Sequence, residues 1–227
     1  MKNILKHLVI IPDGNRRWAT GKGLPKVAGI SKSGAYDNLK ALISEAKDQG
    51  VQYFSLWGFS TENWERSETE KEAIFSLLRE SIKRFREDAS KNNLRFRHFG
   101  RKDRLPKDII EGLKSLEKET EKCNGLSVQL LFDYGGRDEI IRAVNEAVKN
   151  GKKVDEKMFA ELLDSKGIPD PDMIIRTSGE KRTSGLMPFQ GAYAELYFVD
   201  KFFPEFTPVD LREAVKEFEN RKRNFGK

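Results

Sequence analysis

The sequence predicts one α/β domain built on an open, mostly parallel sheet of about six strands with helices on both faces. Three observations lead there. Apolar runs of strand length alternate with segments of helical apolar periodicity along 227 residues, and no Pro-, Gly- or Ser-rich linker divides them. Five polar motifs each begin near the end of an apolar run: Pro12 to Arg17, Ser60 to Trp64, Arg101 to Asp103, Asp133 to Arg137 and Arg176 to Arg182. In an open parallel sheet the carboxyl ends of the strands share one edge, so these motifs are expected to converge on one crevice there.

Leu5 to Ile11 reads as a buried strand ended by Pro12 and the Asp13-Gly14 turn, after which Asn15 to Trp18 leads toward a helix. A helix at 34–47 puts Leu39, Leu42, Ile43 and Ala46 on one stripe, with Gly50 as its stop. Tyr53 to Phe59 is the second strand. Ser67 with Glu70 makes a capping box that opens a long helix, with Ile74, Leu78, Ile82 and Phe85 sharing a face. Leu94 to Phe99 is a third strand ended by Gly100, and helix resumes after Pro106. Leu126 to Phe132 is a fourth strand. Asp138 and Glu139 suit the first turn of a helix at 137–149, and another helix follows at 155–166. Met173 to Ile175 and Leu196 to Val199 supply two short strands separated by a polar loop, and a last helix over Pro208 to Arg221 leads into a basic tail.

A chain with 34% charged and 37% hydrophobic residues fits a soluble globular protein rather than a disordered one. No apolar run approaches the roughly 18 residues of a membrane span. The first dozen residues run directly into a strand, so no signal peptide is expected. Cys123 is the only cysteine, so an internal disulfide framework and a multi-thiolate zinc site are excluded, and a cytoplasmic protein is expected. The net charge of +6 admits nucleic acid, acidic lipid headgroups and small phosphorylated molecules alike.

Gly21-Lys22-Gly23 lacks the spacing of a dinucleotide fingerprint, and there is no Walker A loop. His7 and His98, the only histidines, fall on or beside strands and read as core or edge residues, against a triad or a histidine-based metal site. Asp13-Gly14 alone would be an ordinary turn. The residues after it change that reading: free amides and the guanidiniums of Arg16 and Arg17 at a strand-to-helix junction suit a diphosphate, and Asp13 could carry magnesium between phosphates. The stripe on the long helix reads as core packing, although a lipid tunnel would give the same pattern. Arg221-Lys222-Arg223 reads as a solvated end.

The segment HLVIIPDGNRRWA at 7–19, with FSTENW at 59–64, YGGR at 134–137, RTSGEKR at 176–182 and AYAELYF at 192–198, closely resembles the cis-prenyltransferases, the undecaprenyl diphosphate synthase family. The motifs occur in the family's order along essentially the whole chain. The resemblance implies condensation of isopentenyl diphosphate onto an allylic diphosphate such as farnesyl or geranylgeranyl diphosphate. Each step would make a Z double bond, and the product would be a polyprenyl diphosphate such as the precursor of a glycosyl carrier lipid.

By the same resemblance Asp13 is catalytic and holds Mg2+, with Glu195 as a second metal-linked carboxylate. Gly14, Asn15, Arg16, Arg17 and Lys26 surround the allylic diphosphate, with Trp18 and Ile30 beside them. Ser60, Thr61, Glu62, Asn63, Trp64 and Arg66 form a second substrate-contacting stretch, in which Asn63 assists proton removal. Arg176, Arg182, Thr183 and Ser184 serve the homoallylic diphosphate. A hydrophobic tunnel is implied between the sheet and the helices at 34–47 and 67–92, with Gly58 leaving room inside it. The resemblance also implies a homodimer, membrane-surface contact for product release and no nucleic-acid partner.

Three positions depart from the usual bacterial pattern: Pro12 stands for a common methionine, Asp133 for a frequent asparagine, and Ile30 for the usual histidine. Only Ile30 is expected to change the chemistry, by removing a phosphate contact. The family's C-terminal Arg-X-Gly motif would align with Asn224-Phe225-Gly226, with Arg223 one residue early. A nonsynthetic partner subunit would lack the aspartate motif that this chain has. A branched, non-head-to-tail coupling enzyme would share nearly all of these motifs.

Overall fold

The computed structural model describes residues 3–31, 35–151 and 153–223, with backbone alone at 30 and 31. The strands are β1 (His7–Ile11), β2 (Tyr53–Ser60), β3 (Arg95–Phe99), β4 (Ser127–Tyr134), β5 (Met173–Arg176) and β6 (Glu195–Phe198). The helices are α1 (Asn15–Gly21), α2 (Ala28–Ser31), α3 (Ala35–Asp48), α4 (Glu68–Asn92), α5 (Lys107–Glu119), α6 (Gly136–Lys149), α7 (Glu156–Ala160) and α8 (Pro208–Asn220). The strands form one sheet in the order β3-β4-β2-β1-β5-β6.

Every neighbouring pair is parallel, so the expected mostly parallel sheet is parallel throughout. Each connection is a crossover long enough to return the chain to the same end of the sheet, even the polar loop between β5 and β6. From β1 the chain moves to β2 on one side and later to β5 on the other. The strand order therefore reverses at β1, and the carboxyl ends of β1 and β5 flank the crevice where such sheets hold ligands.

All five residues of β1 and all four of β5 are buried, as strands covered on both faces require. Leu8 and Ile10 face a large core shared with α3, α4, α5 and α8, while Val9 and Ile11 join Phe99, Leu131, Leu186 and Met187 on the opposite face. There α6 is tied down by buried Glu139, which accepts hydrogen bonds from the Tyr134 hydroxyl (2.6 Å), Gln190 Nε2 (3.1 Å) and the Asp164 amide (2.9 Å).

Two elements differ from the sequence reading. The helix expected at 155–166 stops at Ala160. Tighter turns follow it, because the Asp164 amide is claimed by Glu139, the Asp164 carboxylate by Arg142 and the Gly100 amide, and the Ser165 hydroxyl by Gln190. At the start of α4, Ser67 Oγ accepts the Glu70 amide at 3.3 Å, whereas the Glu70 carboxylate accepts from Arg16 and from the Ser67 hydroxyl. The expected helix start at Gly34 lies outside the described residues. His7 and His98 are buried, as expected: His7 bonds Pro169 O and Ser55 Oγ, and His98 donates from Nε2 to Phe132 O.

Candidate active site

Asp13 follows the end of β1, and Arg176 ends β5 beside it in register with Ile11. Arg176 Nη2 donates to Asp13 Oδ2 at 2.8 Å, and its Nη1 donates to Ser184 Oγ and to Arg182 O, both at 2.7 Å. The Arg176 side chain is only 7% exposed, so the whole RTSGEKR loop is drawn round one buried guanidinium. Gly14 stands at φ +92°, and a Cβ there would lie 2.4 Å from the Phe202 ring. Its amide donates to Asp13 Oδ1 at 2.6 Å.

Asp13 is held ionised. Burial pushes its pKa up, but the Arg176 hydrogen bond, the Gly14 amide and the charges of Arg176 and Arg17 outweigh burial and leave it below the usual carboxylate range. Arg17, on the first turns of α1, donates to Ser178 Oγ (2.7 Å) and Glu180 (3.0 Å), and stands 3.6 Å from Asp13 Oδ1. Arg16 reaches Glu70 on α4 at 3.2 Å. Arg66 has a lowered pKa, through burial and then the nearby Arg16 charge.

After β2 a short 3-10 turn, Thr61–Glu65, carries the second stretch. The Ser60 side chain caps the turn, while its backbone amide donates to Asn63 Oδ1 at 3.3 Å. This leaves the Asn63 amide nitrogen to act as a donor.

These groups frame the mouth of a cavity of about 800 Å3. Asp13, Gly14, Asn15, Arg16, Arg17, Ser60, Asn63, Arg66, Arg176, Arg182 and Ser184 all line it. Below the mouth the lining turns apolar, running between β2 and β4 on one side and Tyr36, Leu39, Ile74, Leu78, Ile82 and Phe85 of α3 and α4 on the other. It reaches Phe96, Leu116 and Val128 at depth. The α4 stripe thus faces a tunnel as well as the core. Gly58 lines that tunnel, and a Cβ there would stand 3.1 Å from Leu130 Cδ1 and 3.3 Å from Phe132 Cδ2.

Other expected site residues lie elsewhere. Thr61 and Glu62 line a smaller cavity of about 330 Å3 with Gly135, Gly136 and Arg137, so the last three residues of the YGGR motif face that space, which shares Ser184 with the tunnel mouth. Arg101 pairs with Asp103 and Asp138 and does not line the tunnel. Trp18 donates to Glu205, Lys26 is exposed, and Thr183 O accepts the Leu186 amide in a turn. Trp64 is turned from the mouth into the aromatic cluster of Phe59 and Phe75. The Ile30 side chain lies outside the described residues.

Glu195 opens β6 in register with Met173 and thus with Leu8. That is the amino end of the sheet, about 16 Å along the strands from Asp13, and Glu195 is taken by Arg221 at 2.9 Å. One chain therefore does not bring Glu195 and Asp13 together. Sequence reasoning passed over Glu180, which lines the mouth and pairs with Arg17 and Arg182. Its place inside the RTSGEKR motif was the available signal.

Among the described residues no group of three acidic, histidine or cysteine side chains could hold a metal alone. Asp13 nevertheless fits Mg2+, which characteristically takes one or two carboxylates and completes its octahedron with water and substrate phosphate. Its carboxylate is 29% exposed and faces the cavity mouth.

A polar, arginine-lined mouth on a long apolar tunnel calls for a ligand with an anionic head and a greasy tail. The family described as "Putative undecaprenyl diphosphate synthase" matches residues 11–226. The chain belongs to this family. An isoprenyl transferase of Aquifex pyrophilus is 40% identical over 99% of this chain and 96% of its own length. One from Thermotoga maritima is 37% identical over 98% and 97%. Among solved structures, lavandulyl diphosphate synthase from Lavandula x intermedia, in complex with dimethylallyl diphosphate, superposes with a TM-score of 0.93 at 29% identity over 99% of each chain. A "probable undecaprenyl diphosphate synthase" from Campylobacter jejuni gives 0.84 at 34% identity over 99% of this chain and all of that one. The protein is a prenyltransferase enzyme of this family, and no helix among its described residues is long and apolar enough to cross a membrane.

Proposed function

We propose that the enzyme condenses isopentenyl diphosphate with an allylic diphosphate and elongates it by successive cis additions to a polyprenyl diphosphate. The observation that carries this reading is the join between the Asp13–Arg176 mouth and the apolar tunnel. Cleavage of the allylic C–O bond leaves the electron pair on the departing diphosphate, and cations that bind the separated charge more tightly than the ester lower the barrier. Arg16, Arg17 and the amides at the start of α1 suit the allylic head. Arg176, Arg182 and Ser184 suit the head of isopentenyl diphosphate. Mg2+ bound at Asp13 would neutralise charge developing on the leaving diphosphate.

Carbon–carbon bond formation leaves a cation that must lose a proton to give the new double bond. Asn63 is a neutral amide and does not take that proton. It orients the isopentenyl diphosphate by donating from its free nitrogen, and a diphosphate oxygen or water receives the proton. Each addition pushes the tail deeper, and burial of every methylene contributes about 0.8 kcal/mol.

Magnesium-dependent incorporation of labelled isopentenyl diphosphate, with the products sized by chromatography, tests the reading. Full activity in excess chelator would remove the metal, and no incorporation with any allylic primer would remove the function. The similarity to lavandulyl diphosphate synthase favours a second reading, branched coupling of short units. A tunnel running past Ile82 and Phe85 to Leu116 is more than such a product needs, so product connectivity decides between the two. The exposed stripe Ile141, Val144 and Val148 along α6 supports the proposal of a homodimer. Sedimentation showing only monomer at micromolar concentration would contradict that proposal.

A further inference from the structure

The 3-10 turn that carries Asn63 hangs between two strands, and one buried carboxylate fixes its far side. β2 and β4 pair Phe59 with Phe132 and then Ser60 with Tyr134, which skips Asp133. The skipped residue adopts φ +52°, a left-handed conformation that aspartate tolerates better than most residues. Its side chain is wholly buried. Oδ1 accepts the Trp64 indole N–H at 2.8 Å, and the two oxygens accept Arg104 Nε at 2.7 Å and Nη2 at 2.5 Å. The Arg104 guanidinium also lies 5.2 Å over the Trp64 ring. Trp64 is therefore gripped through its edge by Asp133 and across its face by Arg104, and its neighbour in the turn is Asn63.

We propose that Arg104 and Asp133 are positioning residues for prenyl transfer: their clamp on Trp64 sets where Asn63 presents its amide to the substrate. This rests on the prenyl-transfer reading above. A bidentate guanidinium–carboxylate pair fixes orientation as well as charge, and the bulge at Asp133 re-aims a side chain beside a site, a common use of such irregularities. A displacement near 1 Å at an orienting group can lower a rate by about 100-fold while the binding groups stay in place. The groups assigned to the diphosphate heads, Arg16, Arg17, Arg176 and Arg182, make no contact with this clamp.

The test uses Arg104→Met and the double variant Arg104→Gln/Asp133→Asn, which exchanges the ion pair for an amide pair and keeps an acceptor for Trp64. Steady-state kinetics with isopentenyl diphosphate and farnesyl diphosphate, and amide hydrogen exchange across residues 60–66 without ligand, are the readouts. Arg104→Met is expected to lower kcat at least tenfold, leave both KM values within about twofold and accelerate exchange in the turn. The double variant should recover most of the lost kcat. A kcat within twofold of the parent in Arg104→Met, or a loss confined to KM, overturns the proposal. If Arg104→Met does not fold, Arg104→Lys, which keeps the charge without the fork, carries the same criteria. If the parent enzyme binds diphosphates but transfers no prenyl group, the functional reading fails, and unchanged exchange at 60–66 in the variant separately refutes the clamp.

Discussion

Asp13 and Arg176 hold each other at 2.8 Å, and a metal–diphosphate complex bound at the mouth would have to share that pair. An aspartate kept ionised by its neighbours acts chiefly when charge develops on the leaving group. Asp13→Ala should therefore lower kcat by orders of magnitude with a smaller change in KM, and near-normal turnover would remove Asp13 from the mechanism. Arg182→Ala should first weaken isopentenyl diphosphate; a selective loss of primer affinity would mean that the two head sites are exchanged. That these residues would meet at one mouth was legible because each motif is contiguous in sequence and follows a strand. The fixation of Asp133 was not. Its departure from asparagine looked minor beside Ile30, since no local pattern reveals that Arg104, 29 residues away, completes a buried pair.

At the scale of elements, the α4 stripe of Ile74, Leu78, Ile82 and Phe85 admitted two readings, core or tunnel, and the structure uses it for both. Periodicity reports which face of a helix is apolar; it does not report whether the opposite wall is in contact. Here α3 and α4 wall the tunnel and are laced by polar ties, from Tyr36 and Lys40 to Asp88 (2.8 and 2.6 Å) and from Arg84 to Asp37. Gly58 on the facing strand lines the tunnel, and a side chain there would press on Leu130 and Phe132. Gly58→Val should crowd Leu130 and Phe132 and shift products toward shorter chains with the first addition little changed. An unaltered chain-length distribution would place the limiting wall elsewhere. The strands and most helix starts followed from apolar runs and capping residues. The early end of α7 did not, because the bonds that pull Asp164 and Ser165 out of helical geometry come from α6 and the loop that carries Gln190.

Across the whole molecule, stability should depend on pH through two histidines that serve no catalytic role. Burial lowers both His7 and His98 to about 4 from an ordinary value of 6.5. Below pH 6.5 the unfolded chain therefore takes up protons that the folded protein refuses. Stability falls as pH drops from about 6.5, and the loss is complete near pH 4. Between pH 8 and pH 5 each histidine removes on the order of 2 kcal/mol. Carboxylates with depressed values, such as Asp13 and Asp88, lose their contribution only at lower pH, so they leave this window clear. Glu139, raised by burial, acts in the opposite sense, favouring the fold as pH falls. His98→Phe separates these effects, because His98 Nδ1 has no partner in the core and the ring's one bond is to Phe132 O. Urea unfolding at pH 5 and pH 8 should show a smaller difference in this variant than in the parent, by about one histidine's share. Equal differences in the two proteins would mean that His98 is protonated in the folded state and that its burial is not what sets its titration.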